Sequence, residues 1–387
     1  MNTHRANQTR NLPDGMPYVY ASYVNDRNNG YVAVIDPYNH DRIIKRISGL
    51  ISPSAMCTDP SEQKLYVTDD RLNRVNIYRT DNFGVVAAIR VGTKADTNPV
   101  AVFVAPNGKK VYVANYGEHS VTIIDANAYT VIKNVEMATL QPGVLGRPFA
   151  FACNENSAFV HVACKRDNGA DFLVAIGLED DTAYSLDFEE DIIFDQTRNP
   201  LAIHPNGHTL VSLGDVGMLN YFGDRPVGLY NSISLLDNTV SGVYLNNKML
   251  FCTLRGEKNY LKVFKNLEID RNRNITYDNF IELPSYKSQD TIRASRNQIF
   301  VGVTVQPTVL PMGGLQIIEV ASLRSRFVGL DVVRDMTFFS DEKAYVVELS
   351  SVLPIDLGSM LLLPRIQIGG NDITVRKVIS GYSNQST

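Results

Sequence analysis

The stretch Val111-Tyr112-Val113-Ala114-Asn115 decides the fold, because a similar pattern stands earlier in the chain as Leu65-Tyr66-Val67-Thr68-Asp69. Tyr66 and Tyr112 mark the same position in the two copies. Each copy follows two prolines at matching offsets, which are Pro53 and Pro60 in the first copy and Pro99 and Pro106 in the second. A spacing of roughly forty-five residues that recurs in this way is typical of propeller blades and solenoids.

Each copy divides into short strands. In the unit that starts at Pro99, runs rich in Val, Ile and Tyr are separated by Asn, Asp, Gly and Pro, and they cover Val100–Val104, Lys110–Asn115, Ser120–Asp125 and Thr130–Met137. This punctuation is typical of consecutive antiparallel strands, and almost no window has helical periodicity. The sequence therefore predicts an all-β fold, a closed β-propeller of four-stranded blades.

Units of this length can be followed from residue 18 to residue 379 and favour eight blades. Seven blades are the alternative, if the poorly patterned units near 200–236 or 334–379 are not full blades. The first unit begins at its second strand, Tyr18–Tyr23, so we expect Asp372–Ile379 to supply its innermost strand and to remove two free sheet edges. The predicted domains are a flexible arm over 1–16, a single propeller domain over 17–380, closed by pairing of its terminal strands, and a tail over 381–387.

The charge and the distribution of apolar residues exclude some classes of function. A formal net charge of −4 gives no general attraction for phosphate backbones, so we expect no nucleic-acid partner. No run of about eighteen apolar residues is present, which argues against a membrane span. The first residues lack the apolar core of a secretory signal, and we expect a cytoplasmic protein.

The residues from Val111 to Gly117, followed by Ser120–Asp125, resemble the YVTN repeat of bacterial and archaeal β-propellers. Leu65–Asp69 is a second match, and Tyr31–Asp36 is similar to the third strand of such a repeat. The resemblance implies a relation to lactonase-like propellers, a group that includes surface-layer proteins, periplasmic binding proteins and sugar-lactone hydrolases. It brings no catalytic motif that can be placed on this chain, and so many functions on one fold leave the activity open.

In a propeller, the loops from second to third strand and the connections between blades open on one axial face, the usual binding face. Polar residues fall at these places, and we predict a ligand site built from Asp69, Asn98, Asn115, Arg147, Arg198, Asn199, Arg293, Arg334 and Glu348. The arginines supply forked donors for a carboxylate or phosphate. In the alternative interpretation, the Arg and Asp residues pair with one another across blade junctions.

The sequence contains no motif that fixes a reaction class. His119 and Glu118, side by side in the loop after Asn115, are the candidate catalytic residues, because histidine titrates near neutral pH and has a carboxylate beside it. No cofactor is expected. Asp69, Asn115 and Glu348 are the oxygen ligands to consider if the protein binds Ca²⁺ or Mg²⁺.

The leading hypothesis is a non-catalytic propeller that binds a small anionic or polyhydroxylated molecule, or a protein partner, at its loop-rich axial face. A lactonase-like hydrolase, a lyase or an isomerase with its active site in the same funnel is the alternative. A structural or assembly role, with a homo-oligomer as its form, is the third hypothesis.

Overall fold

The computed structural model describes residues 18–140, 145–186, 194, 200–203, 210–213, 218–222, 231–234, 239–245, 249–255, 260–265, 268–269, 275–276, 280–284, 289–294, 298–303, 313–319, 321–330, 333–340, 342–370 and 373–380. The predicted arm (1–16) and tail (381–387) lie outside the described residues, as do Arg198 and Asn199.

Local chemistry sets the strand boundaries. Between β8 (Pro99–Val104) and β9 (Lys110–Asn115), the chain turns at Gly108, whose φ of 68° suits glycine, and the Gly108 amide donates to the carbonyl of Ala105. After β10 (Ser120–Asp125), the Asp125 carboxylate accepts hydrogen bonds from the amides of Asn127 and Ala128. Such side-chain caps satisfy turn amides and fix where each strand ends.

The first half of the chain forms four antiparallel sheets, the first of which also contains the last strand. Their strands are β1 (Val19–Val24), β2 (Gly30–Asp36) and β3 (Arg42–Leu50) with β35 (Thr374–Ser380); β4 (Pro53–Thr58), β5 (Lys64–Asp69), β6 (Arg74–Arg79) and β7 (Val85–Arg90); β8, β9 and β10 with β11 (Val131–Glu136); and β12 (Gly146–Ala152), β13 (Phe159–Arg166), β14 (Phe172–Gly177) and β15 (Ala183–Leu186). A four-residue helix, α1 (Met137–Leu140), follows β11.

The second half continues the pattern. Its sheets contain β16 (Leu201–Ile203), β17 (Leu210–Leu213), β18 (Met218–Phe222) and β19 (Asn231–Ser234); β20 (Thr239–Leu245), β21 (Met249–Arg255), β22 (Tyr260–Lys265) and β25 (Phe280–Pro284); β26 (Gln289–Ala294), β27 (Gln298–Val303), β28 (Gly313–Glu319) and β29 (Ser325–Leu330); and β30 (Asp335–Ser340), β31 (Lys343–Val347), β32 (Ser351–Asp356), β33 (Leu361–Leu362) and β34 (Ile366–Gln367). A separate ribbon pairs β23 (Glu268–Ile269) with β24 (Ile275–Thr276).

The prediction of an all-β propeller with four-stranded antiparallel sheets is confirmed. The innermost strands contact one another in the order β4, β8, β12, β16, β20, β26, β30 and β35, and β35 also contacts β4. β1 pairs antiparallel with β35 in a register that places Val19 opposite Ser380. None of the described helices has the length and apolar character of a membrane span.

In three sheets, the second strand begins with the pattern Lys-x-Tyr, and the lysine side chain contacts the next sheet. The ammonium group of Lys64 donates to the carbonyl of Ala126, at 3.2 Å, in the turn between β10 and β11 of the following sheet. Lys110 makes the equivalent contact, donating to the carbonyl of Leu178 at 2.9 Å and to the Asp181 carboxylate at 2.7 Å.

The same contact joins the sheet of β30–β34 to the sheet of β1–β3. Lys343 donates to both carboxylate oxygens of Asp41, at 2.6 and 2.8 Å, and to the carbonyl of Pro37. The Tyr345 hydroxyl, two residues further on, also donates to Asp41. Because the side chains of Lys343 and Asp41 are only 19% and 11% exposed, this ion pair is well shielded from water.

We expect the Lys343→Met variant to lose about 1 to 3 kcal/mol of unfolding free energy, because the largely buried Asp41 carboxylate loses its cation. Denaturant unfolding followed by tyrosine fluorescence or far-UV circular dichroism would measure the loss. Lys109→Met is the control, since Lys109 is an exposed lysine in the turn between β8 and β9. Equal unfolding midpoints for the two variants would contradict a stabilising role for the contact.

Candidate functional site

A cleft of about 550 Å³ opens where the loops of the second, third and fourth sheets meet. The β5–β6 loop contributes Asp70, Arg71 and Asn73, and the β7–β8 connection contributes Ala95, Asp96 and Asn98. The β9–β10 loop contributes Tyr116, Gly117 and His119, and Arg147 at the start of β12 completes the wall. The cleft therefore lies on the axial face that the sequence predicted as the binding face.

Asp69 fixes the backbone of the β5–β6 loop. Its buried carboxylate accepts hydrogen bonds from the amides of Ile51 at 2.7 Å and Leu72 at 3.2 Å. Asn73, which has a φ of 48°, then bridges to the next wall, since its side-chain oxygen accepts from the amide of Asn98 at 3.2 Å and its amide group donates to the carbonyl of Ala95. The two loops are thus fixed to each other.

Glu118 organises the β7–β8 connection. Its carboxylate accepts hydrogen bonds from the amide and hydroxyl of Thr93, from the amide of Lys94 and from the hydroxyl of Thr97, at 2.7 to 3.2 Å. The residue is only 2% exposed and does not line the cleft. Burial acts to raise the pKa of Glu118, but the hydrogen bonds from Thr93, Thr97 and Lys94 outweigh it and hold this pKa below its ordinary value.

The candidate role of Glu118 as an acid or base therefore needs correction, because every contact of its carboxylate in the described structure serves the loop. An acid or base must reach the reacting group.

The β9–β10 loop approaches this connection closely. The amides of Tyr116 and Gly117 donate to the carbonyls of Asn98 and Thr97, at 3.0 and 3.1 Å. A Cβ atom at Gly117 would lie 1.9 Å from the carbonyl oxygen of Asp96, so only glycine fits there. His119, with a φ of 61°, follows at the cleft wall.

The His119 imidazole is neutral near pH 7. Burial lowers its pKa from the ordinary value, and the positive charge of Arg147 lowers it further, whereas Asp167 and the backbone of Gly146 act in the opposite direction. A neutral imidazole has one acceptor nitrogen. Nδ1 of His119 and Oδ1 of Asp70 are covered atoms for which the described residues provide no hydrogen-bond partner, and both residues line the cleft.

Arg147 is already engaged. Its guanidinium donates to both carboxylate oxygens of Asp167, at 2.6 and 3.0 Å, and lies 5.2 Å from the centre of the Tyr116 ring. The hydrogen bond to Asp167 raises the pKa of Arg147 above its ordinary value. The side chain predicted to bind an anion thus has an anion as its partner within the same sheet.

The other predicted site residues do not line this cleft. Asp69 and Asn115 end β5 and β9, Glu348 directly follows β31, and the three residues are buried in three different sheets. Asn115 donates to the hydroxyls of Ser120 and Thr122, and Glu348 accepts from Ser351 and Arg365. Nothing brings these three residues together as metal ligands, and the described part of the chain contains no cluster of three His, Cys, Asp or Glu residues suited to a metal ion.

Arg293 and Arg334 also lie away from the cleft. Arg293 approaches Asp335 of the next sheet at 3.5 Å, the kind of pairing across blade junctions that was the alternative to ligand binding. Arg334 is exposed, and its amide donates to the carbonyl of Val347.

Of the predicted residues, Asn98, His119 and Arg147 line the cleft, and Asp69 and Glu118 support it from behind. Sequence reasoning missed Asp70, Arg71, Asn73, Asp96 and Tyr116. The run Asp69-Asp70-Arg71 was a usable signal, because binding residues are disproportionately found on loops that a rigid scaffold positions.

Residues 24–193 match the protein family described as lactonase, 7-bladed beta-propeller. The resemblance to lactonase-like propellers is therefore confirmed over this range. The description names seven blades and gives no support to the prediction of eight. A search of curated proteins gives no match.

Solved structures with the same fold include dihydro-heme d1 dehydrogenase NirN in complex with DHE, with a TM-score of 0.71, 14% identity and coverage of 94% of this chain and 77% of that chain. AztD from Citrobacter koseri, in its apo form, gives a TM-score of 0.58, 12% identity and coverage of 94% and 97%. Kuenenia stuttgartiensis hydrazine synthase gives a TM-score of 0.55, 14% identity and coverage of 83% and 97%. At these identities the likeness concerns the fold alone.

Replacement of Glu118 by Ala should lower the unfolding free energy by about 1 to 3 kcal/mol, because the buried Thr97 hydroxyl and the part-buried donors of Thr93 and Lys94 lose their acceptor. Because the folded-state pKa of Glu118 is depressed, its contribution is present above its ordinary pKa and is lost as the pH falls through the folded-state value. The difference between wild type and Glu118→Ala in denaturant unfolding should therefore shrink in acid. A constant difference from pH 7 to pH 3 would refute this account.

Proposed function

We propose that this propeller binds a polyhydroxylated small molecule, such as a sugar, in the cleft formed by the loops of its second, third and fourth sheets. The observation that carries the proposal is the pair of acceptors without partners, Asp70 Oδ1 and His119 Nδ1, in residues of one cleft. Buried polar atoms without partners are costly, and a ligand hydroxyl supplies the missing donor. Both atoms are covered, so each side chain must turn towards the cleft as the ligand enters.

The charge of the cleft favours a polyhydroxylated ligand over an anionic one. Its charged lining residues are Asp70, Asp96, Arg71 and Arg147, so acids and bases balance. Arg147 is also paired with Asp167, which leaves Arg71 as the remaining forked donor. An anion would have to displace Asp167 or bind beside two carboxylates.

We also propose that the ring is closed and has eight blades, in spite of the seven named in the family description. The circular order of innermost strands, the pairing of β1 with β35 and the Lys343 contact with Asp41 support the proposal. The single domain, the cytoplasmic location and the homo-oligomer remain predictions.

Isothermal titration calorimetry with glucose, galactose, xylose and mannitol tests the ligand class. Asp70→Asn should weaken binding of the preferred sugar by about 1.5 to 3 kcal/mol, the range for a hydrogen bond to a charged group. Lys109→Ala, on the opposite face, and Arg334→Ala, outside the cleft, are controls and should bind like wild type. Binding should also weaken as the pH falls through the lowered folded-state pKa of His119, because the protonated imidazole stops accepting.

If none of the sugars binds the wild type while gluconate or inorganic phosphate does, the ligand is anionic and this proposal fails. If Lys109→Ala loses as much affinity as Asp70→Asn, the site is not in this cleft.

Hydrolysis of a sugar lactone is a second candidate function, favoured by the neutral His119 with an available nitrogen. In this reaction His119 Nδ1 would take a proton from water as the hydroxide attacks the lactone carbonyl. The ring C–O bond would then break, and the leaving ring oxygen would take the proton back from His119 to give a hydroxy acid.

Glucono-lactone hydrolysis can be followed with a pH indicator after correction for spontaneous hydrolysis. We expect His119→Gln to lower kcat about 10²-fold or more if His119 is the base, with Lys109→Ala as the control. Wild-type rates equal to the spontaneous rate would exclude this activity and would leave the binding proposal intact.

A further inference from the structure

We infer that Arg376, on the C-terminal strand β35, is a positioning residue for the cleft: it holds Oδ2 of Asp70, so that Oδ1 is the oxygen that turns towards a ligand hydroxyl. The inference rests on the proposed function. Arg376 is remote in sequence from the residues that line the cleft, which lie between Asp70 and Arg147.

Arg376, Ser52 and Asp70 contact one another. The Arg376 guanidinium donates to the Ser52 hydroxyl at 2.8 Å, and its NH1 nitrogen lies 3.9 Å from Oδ2 of Asp70. The amide of Asp70 donates to the carbonyl of Ser52 at 3.1 Å. Ser52 is buried, so it fixes both the guanidinium and the backbone that carries the carboxylate.

This arrangement distinguishes the two oxygens of Asp70. Oδ2 faces the positive charge of Arg376, whereas Oδ1 has no partner among the described residues. A carboxylate attracted through one oxygen can turn the other, which has no partner, towards a donor in the cleft. Arg376 itself does not line the cleft, so it acts through Asp70.

The consequence is a link between the site and the pairing of the chain ends. β35 pairs with β1, and its Val375 amide donates to the carbonyl of Leu349, so the position of Arg376 depends on that strand being docked. Ligand bound through Asp70 should therefore stabilise the docked strand by mass action.

A double-mutant cycle tests the inference, with calorimetric titration of whichever of the four sugars binds the wild type most tightly. Arg376→Gln should weaken binding about two- to fivefold, as expected for a partly exposed charge pair. In the Asp70→Asn background, the same change should have almost no further effect, because the group that it positions is gone. Arg376→Lys should retain most of the affinity, and Lys377→Gln, at the exposed neighbouring position on β35, should bind like wild type.

The outcomes separate the two proposals. No sugar binding by the wild type would overturn the proposed function and this inference together. Loss of affinity in Asp70→Asn but wild-type binding in Arg376→Gln would overturn the inference alone. Equal losses from Arg376→Gln in both backgrounds would also overturn it, since Arg376 would then act on the fold rather than on Asp70.

Discussion

Each sheet has two apolar faces, and both must be covered by neighbours. In the sheet of β4–β7, Tyr66, Val75 and Ile77 pack against the following sheet, in a cluster with Val111 and Val113. Its opposite face carries Leu65, Val67 and Tyr78, which pack against Tyr20 and Val34 of the preceding sheet. A sheet that is apolar on both sides is stable only between two others, and the sheet of β4–β7 lies between two such neighbours. The remaining features depend on this arrangement.

The cleft results from the same arrangement. Because the sheets pack face to face, their loops meet at one end and must be joined by hydrogen bonds. Asn73 makes these bonds at the cleft wall, and Asp69 and Glu118 make them from behind; each is buried and hydrogen-bonds to the backbone. Asp70 and His119, in the same loops, carry covered acceptors for which the described residues provide no partner. A rigid support of this kind reduces the cost of ordering a site when a ligand binds.

The lysine contacts lie on the face opposite the cleft and hold neighbouring sheets together. Lys64, Lys110 and Lys343 each reach the turn of the next sheet, so the positions of successive sheets are fixed at both ends. The face that carries the cleft and the face that carries these lysine contacts therefore differ in their chemistry. Arg147 and Arg293 have acidic partners, whereas Oδ1 of Asp70 has no partner among the described residues.

The sequence by itself determined the period, the strands and the axial face of the site, because strand alternation and turn residues such as Asn107-Gly108 act over a few neighbouring residues. It also placed Asn98, His119 and Arg147 on that face. Only the tertiary structure decided which polar groups were already satisfied. The partners of Glu118 lie about two dozen residues earlier, Arg293 meets Asp335 of the next sheet, and Arg376 reaches Asp70 from the other end of the chain. Contacts between residues so far apart depend on how the sheets pack, and no local pattern encodes them.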